Sequence, residues 1–173
     1  MGQKQANLLG LHLKETKINA VYSSPLKRAL ATAQAIAGCH QLPVQIEPDL
    51  CEIDAGEFEG VYIDKPGTKF SEFLTRLRQS GGTEKLPGGE SMNDLADRVW
   101  STIQRIIVQH EQETAIVVSH YFVNAVAIGK ALELPLSCIN RIRLQPSSIS
   151  ILDFEDKFPR LMTMGDTCHL RKG

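Results

Sequence analysis

The chain reads as an α/β domain with a mainly parallel sheet and helices on both faces, similar in layout to an open, doubly covered sheet. Three observations predict this. Short β-branched apolar runs alternate with helical patterns between Ile18 and Leu132. Two of those runs, ending at Ser23 and Ser119, pass directly into helix-start signals. The alternation stops near the end, where residues 147–154 and 160–164 flank Asp156-Lys157 in a hairpin pattern.

Each element has its own justification. Residues 3–13 place Ala6, Leu9 and Leu13 on one helical stripe, which Leu8 and Leu11 widen. Residues 18–22 form a buried strand. Pro25 suits the first helical position, with Ser24 as N-cap, and that helix runs on to stop near Gly38. Residues 44–46 are a short strand after Pro43, and residues 51–60 an acidic loop punctuated by glycine. Residues 69–78 form a helix with Phe70, Phe73, Leu74 and Leu77 on one face. Ser91 caps the longest helix, to about Gln109, whose apolar residues Leu95, Val99, Ile103, Ile106 and Ile107 recur at three and four. Residues 114–119 are the most hydrophobic strand and are expected to be buried on both faces. Residues 120–132 return to helix.

Composition bounds the function. The 173 residues suit one domain with a single core, at 42% apolar, 23% charged and a net charge of −1. That balance gives no basic surface for nucleic acid. The longest apolar stretch, residues 114–118, is too short to cross a bilayer, and no secretory leader follows Met1, so a cytoplasmic location is expected. Cys39, Cys51, Cys138 and Cys168 lack paired spacing, which suggests buried thiols, with disulfides or a zinc site as alternatives.

Strand ends that lead into helices are where ligands collect in an open α/β sheet. His120 stands at one such end, beside the first amides of the following helix, which favour an anion. There it is a nucleophile when neutral or a phosphate ligand when protonated, unless it is a core histidine bonded to backbone. Arg28 lies one turn into the helix after the other strand, where its guanidinium can grip phosphate oxygens, unless it is an ordinary exposed arginine. Ser23 and Ser24 offer hydroxyl donors. Glu52, Asp54, Glu57 and Glu59 crowd one loop, and one of them with a raised pKa could protonate a leaving alcohol. A magnesium or calcium site and a solvated loop are the alternatives. Neither a phosphate-binding Gly-x-x-x-x-Gly-Lys-Ser/Thr loop nor a Gly-x-Ser-x-Gly elbow occurs.

The ordered set of segments resembles the histidine phosphatase superfamily, also called phosphoglycerate mutase-like. The matching stretches run from Val21-Tyr22-Ser23-Ser24-Pro25-Leu26-Lys27-Arg28-Ala29, through Glu52-Ile53-Asp54-Ala55-Gly56-Glu57-Phe58-Glu59-Gly60 and Pro87-Gly88-Gly89-Glu90-Ser91, to Val117-Val118-Ser119-His120 and Gly165-Asp166-Thr167-Cys168-His169-Leu170. The resemblance implies phosphoryl transfer through a phosphohistidine on a small phosphorylated metabolite, with no metal or organic cofactor. It implies that His120 is the second histidine of the site, Arg28 a phosphate-binding arginine, and Glu52 the proton donor. Ser24 and the Tyr121 amide join Arg28 and His120 in the phosphate seat.

The attacking histidine of that family stands in an Arg-His-Gly motif on a central strand. No Arg-His-Gly occurs in these 173 residues, and His12, His40, His110 and His169 do not replace it. The expectation is an N-terminally incomplete domain over residues 1–173 that begins at an internal start and is inactive as it stands. A second departure is Tyr121-Phe122, bulky where the family commonly has glycine. Residues 61–86 would form the variable substrate lid. Two alternatives are carried beside the phosphatase: a non-catalytic module that binds a phosphorylated ligand, and an interaction protein that forms a homo-oligomer or recruits a partner through an open sheet edge.

Overall fold

The computed structural model describes residues 2–60, 71, 75, 79–155 and 158–172. Strand β1 (Ala20–Ser23) is buried at all four positions and lies between β2 (Val44–Ile46) and β3 (Ala115–Val118) in a three-stranded parallel sheet. Val21 is opposite Val44, and Tyr22 is opposite Val117. Successive side chains on a strand point to opposite faces, so β1 serves two cores. Val21 packs with Leu9, Ala33 and Ile36 from helices α1 (Gly2–Leu13) and α2 (Lys27–His40). Ala20 and Tyr22 pack with Leu95, Val99, Val123 and Val126 from α3 (Met92–Gln109) and α4 (Tyr121–Ala131). Helices therefore cover both faces, as the alternating sequence pattern requires. None of the described helices is long and apolar enough to cross a membrane.

Local signals placed several elements well. Ser91 caps α3 in a reciprocal capping box with Asp94, satisfying two otherwise orphaned amides. Strand β2 spans the expected residues. The end of the chain forms an antiparallel pair, β4 (Ile149–Asp153) and β5 (Arg160–Asp166), as a sheet of its own. Its expected turn residues Asp156 and Lys157 lie outside the described residues. So does most of the expected 69–78 helix, of which Ser71 and Thr75 are described and helical. The first part of the expected lid, residues 61–70, lies outside them as well.

Other expectations need correction. Helix α2 starts at Lys27, and its N-cap position is Leu26, not Ser24. The Ser24 hydroxyl is used otherwise, accepting from the Leu26 N–H at 3.2 Å in a turn that precedes the helix. The same helix runs past Gly38 to His40, and Gln41 takes the left-handed terminal conformation at φ 56°. Leu11 is 64% exposed because it lies on the opposite side of α1 from the buried Ala6, Leu9 and Gly10. A Cβ at Gly10 would lie 2.5 Å from the Ala35 carbonyl oxygen, so only glycine admits that approach. Strand β3 is half-buried at all four positions, not enclosed on both faces. The reason is its place in the sheet: it pairs with β1, and among the described residues no strand covers its other edge.

Candidate active site

Two chain crossings bring the site together. The first is the β1–β3 pair, which aligns Ser23 with Val118 so that both strands end at one level. The Ser24 N–H donates to the Val118 carbonyl at 3.0 Å, extending the ladder into the turn. His120 follows in extended conformation as the N-cap residue of α4. Ser24 and His120 are thereby fixed by backbone register, and Arg28 enters from the first turn of α2.

The three side chains form one hydrogen-bonded chain. Arg28 Nε donates to His120 Nδ1 at 3.1 Å, and His120 Nε2 lies 2.8 Å from Ser24 Oγ. An arginine nitrogen can only donate, so Nδ1 must carry a lone pair. The proton of the neutral ring is then on Nε2, pointing at Ser24. Burial holds the His120 pKa down, aided by the Arg28 and Arg98 charges, from 6.5 to about 4. Among the described residues the terminal nitrogens of Arg28 have no hydrogen-bond partner, which leaves a cationic fork available.

The second crossing joins the acidic loop to the loop before α3. Gly56 sits at φ +52°, and a Cβ there would stand 2.2 Å from the Pro87 carbonyl oxygen. A Cβ on Gly89 would stand at the same 2.2 Å from the Asp54 carbonyl oxygen. Backbone bonds Glu57 N–H to Pro87 and Glu90 N–H to Asp54 close the contact at 2.9 and 3.1 Å. Arg98 of α3 then grips both Glu90 carboxylate oxygens and donates to the carbonyls of Asp49, Cys51 and Glu52. Three carbonyls and a carboxylate on one planar guanidinium fix the loop more firmly than any single contact would.

That loop delivers Glu52. One of its oxygens accepts from the Ile53 N–H at 2.9 Å and the other from the Phe122 N–H at 3.4 Å. The amides at the start of α4, expected to await a ligand anion, are held by the Glu52 carboxylate. Burial nevertheless raises the Glu52 pKa, outweighing the amides of Ile53 and Phe122, the Arg28 charge and the Tyr121 amide. Asp54, Glu57 and Glu59 are exposed on the same loop. Asp54 and Glu59 accept from the Gly56 and Ala55 N–H groups. Among the described residues they form no metal-ligating cluster with a third donor.

Ser24, Arg28, Glu52 and His120 are thus brought together. Tyr121 reaches the site through its backbone, because its hydroxyl donates to the Ile142 carbonyl at 2.7 Å and its ring packs edge-to-face on Phe122. The Ser23 hydroxyl turns back to the Ser24 carbonyl at 2.8 Å. Sequence reasoning missed Arg98. Its position on the flank of the apolar stripe of α3 carries no local sign that five acceptors from two loops will converge on it.

The chain matches the family model for the histidine phosphatase superfamily (branch 1) over residues 1–167. It is 30% identical over 169 residues to phosphoserine phosphatase 1 of Hydrogenobacter thermophilus, covering 98% of this chain and 80% of that protein. Among solved structures it superposes on the phosphoserine phosphatase of Entamoeba histolytica in complex with 3-phosphoglyceric acid. There the TM-score is 0.82 and the identity 26%, with 97% of this chain and 83% of that one covered. A histidine-to-alanine mutant of that enzyme, in complex with phosphoserine, matches with TM-score 0.77 and 27% identity over 96% and 83% of the two chains. By sequence and by fold, this chain is a member of the histidine phosphatase superfamily.

Proposed function

We propose that the pocket formed by Arg28, His120, Ser24 and Glu52 binds the phosphoryl group of a small phosphomonoester, in the manner of a phosphatase that works through a phosphohistidine. The observation that carries this reading is the 3.1 Å contact between Arg28 Nε and His120 Nδ1, which sets a guanidinium and an imidazole against a common space. A phosphate dianion entering there meets the remaining Arg28 donors. Its negative charge opposes the burial and the cations that keep His120 neutral, so binding favours proton uptake by the ring and adds a second cation to the seat. Glu52, its pKa raised by burial, is the acid of the pocket: only where a histidine nucleophile from outside these residues forms a bond to phosphorus does the P–O bond break, its electron pair moving to the alcohol oxygen and Glu52 supplying the proton.

The nucleophile is not assigned to His120. Both of its ring nitrogens are engaged, one by Arg28 and one by Ser24. With no Arg-His-Gly among the 173 residues, this polypeptide holds a phosphate-binding half of the machinery and does not turn substrate over. Phosphoserine and 3-phosphoglyceric acid, the ligands of the Entamoeba structures, are the first ligands to try.

Calorimetry with 3-phosphoglycerate and a p-nitrophenyl phosphate assay test both parts. Binding without hydrolysis is expected. Arg28→Ala should weaken binding about 10- to 100-fold, the range for losing charge-assisted hydrogen bonds. Brisk hydrolysis abolished by that substitution would overturn the assignment of inactivity. Equal affinity in the variant would overturn the pocket.

A second reading rests on the outer edge of β3, where four half-buried apolar residues have no described strand beside them. An edge of that kind can pair with a second copy of the chain. Light scattering that shows only monomer would remove this reading.

A further inference from the structure

Away from the phosphate site, His12 in the last turn of α1 meets Cys168 and His169 in the 3-10 turn (Cys168–Lys172) that follows β5. We propose that these three side chains bind a divalent transition-metal ion of the zinc class, tying the first helix to the end of the fold. The proposal adds a site to the protein and uses none of the residues of the phosphate pocket.

Three observations carry it. One donor atom from each residue lies within 4.8 Å of the other two. Zinc bonds of about 2.0–2.1 Å to nitrogen and about 2.3 Å to sulfur need donors roughly 3.3–3.8 Å apart. The cluster must close by at most about 1.5 Å, which rotation of the exposed His12 and exchange of the Cys168 thiol from Asp166 to the metal would supply.

The second observation is His169 itself. It is only 4% exposed, yet among the described residues neither ring nitrogen has a side-chain or backbone partner in hydrogen-bond geometry. A buried histidine with both nitrogens unsatisfied is costly, and nearly all buried polar groups avoid that state. The Ser147 backbone is near enough to favour the protonated ring.

The third is the chemistry of the donor set. Two imidazoles and one thiol suit zinc, cobalt or copper and not magnesium or calcium. The His12 and His169 rings are stacked, with centroids 5.3 Å apart and planes inclined by 28°. Their in-plane lone pairs run side by side, so the exposed His12 ring turns to bring its nitrogen to a common point. Cys168 Sγ donates to Asp166 Oδ2 at 3.2 Å. On binding, the thiol gives its proton to solvent, sulfur bonds to the metal as thiolate, and water fills the fourth position.

The test uses the whole chain, stripped with chelator and titrated with Zn²⁺ by calorimetry and with Co²⁺ by absorption. One equivalent of Zn²⁺ should bind and raise Tm, and Co²⁺ should give a thiolate-to-cobalt charge-transfer band with tetrahedral d–d absorption. His12→Ala and Cys168→Ser alter exposed side chains, so the fold survives them. Each should weaken binding at least 10-fold, and Cys168→Ser should abolish the charge-transfer band. No binding, or binding that both variants leave intact, or Co²⁺ binding without a sulfur band, would overturn the proposal.

Discussion

His120 and His169 are nearly equally buried, at 6% and 4% exposure, and differ in what their nitrogens meet. Both have their pKa lowered first by burial. His120 is then specified completely: Arg28 takes one nitrogen, Ser24 the other, and only one neutral tautomer fits. His169 has no such partners, and its neighbours are a second imidazole and a thiol. Burial sets the protonation state of a histidine, while its partners set which ligand completes it. Beside a guanidinium the ligand we propose is an anion. Beside a thiol and an imidazole it is a cation.

Acid titration should separate the two most strongly. A histidine whose folded pKa lies below its unfolded value contributes stability that is fully present above pH 6.5 and lost as pH falls towards about 4. The shift at His120 corresponds to about 3 kcal/mol. Glu52 works in the opposite sense, since its raised pKa favours the folded state as its carboxyl becomes protonated, and His169 works in the same sense as His120. Both are common to the wild type and to His120→Gln. The difference between their urea midpoints from pH 7 to pH 4 therefore isolates His120, and the wild type should lose about 3 kcal/mol more. Parallel losses would mean that His169 or another group dominates acid unfolding.

Arg98 sharpens the comparison next. Its charge helps to lower the His120 pKa, and it does not act on His169. In Arg98→Met, NMR titration of the ring protons should move the His120 pKa upward and leave His169 in place. The same variant strands Glu90 in a pair only 21% and 17% exposed, so it should cost about 2–3 kcal/mol in stability. Equal movement of both rings would point to a global rearrangement and break the distinction.

The smallest effect belongs to Ser91→Ala, which removes the capping box of α3 without touching either histidine. A loss of about 1 kcal/mol in thermal unfolding is expected, with both ring titrations unchanged. A shift at His120 would show that the start of α3 is coupled to the phosphate pocket through Asp94, Glu90 and Arg98.

Much of the site was legible because its residues sit at strand ends, and strand ends can be read from hydrophobic runs. Arg28 and His120 were found that way, and Glu52 as one of four carboxylates crowding a single loop, with the family resemblance supplying their roles. The Glu52 carboxylate on the α4 amides was not, because 70 residues separate Glu52 from Phe122 and no local rule spans that distance. Arg98 was missed for the same reason, reaching a carbonyl 46 residues away. The metal-ligating cluster was hidden further still, joining the first helix to the last turn, with no paired spacing to announce it. The half-exposure of β3 was misread because an apolar run reports composition, whereas burial depends on which strand lies beside it.

The order of helices and strands, the α3 cap and the chemical character of the pocket were determined by the sequence alone. Each depends on residues within a turn or two of one another, where periodicity and hydrogen-bonding capacity act directly. The tertiary structure decided which tautomer His120 adopts, which anion occupies the α4 amides and which histidine is left without partners. Those outcomes turn on ångström-scale register between segments far apart in the chain, and only the packed sheet and its crossing loops impose that register.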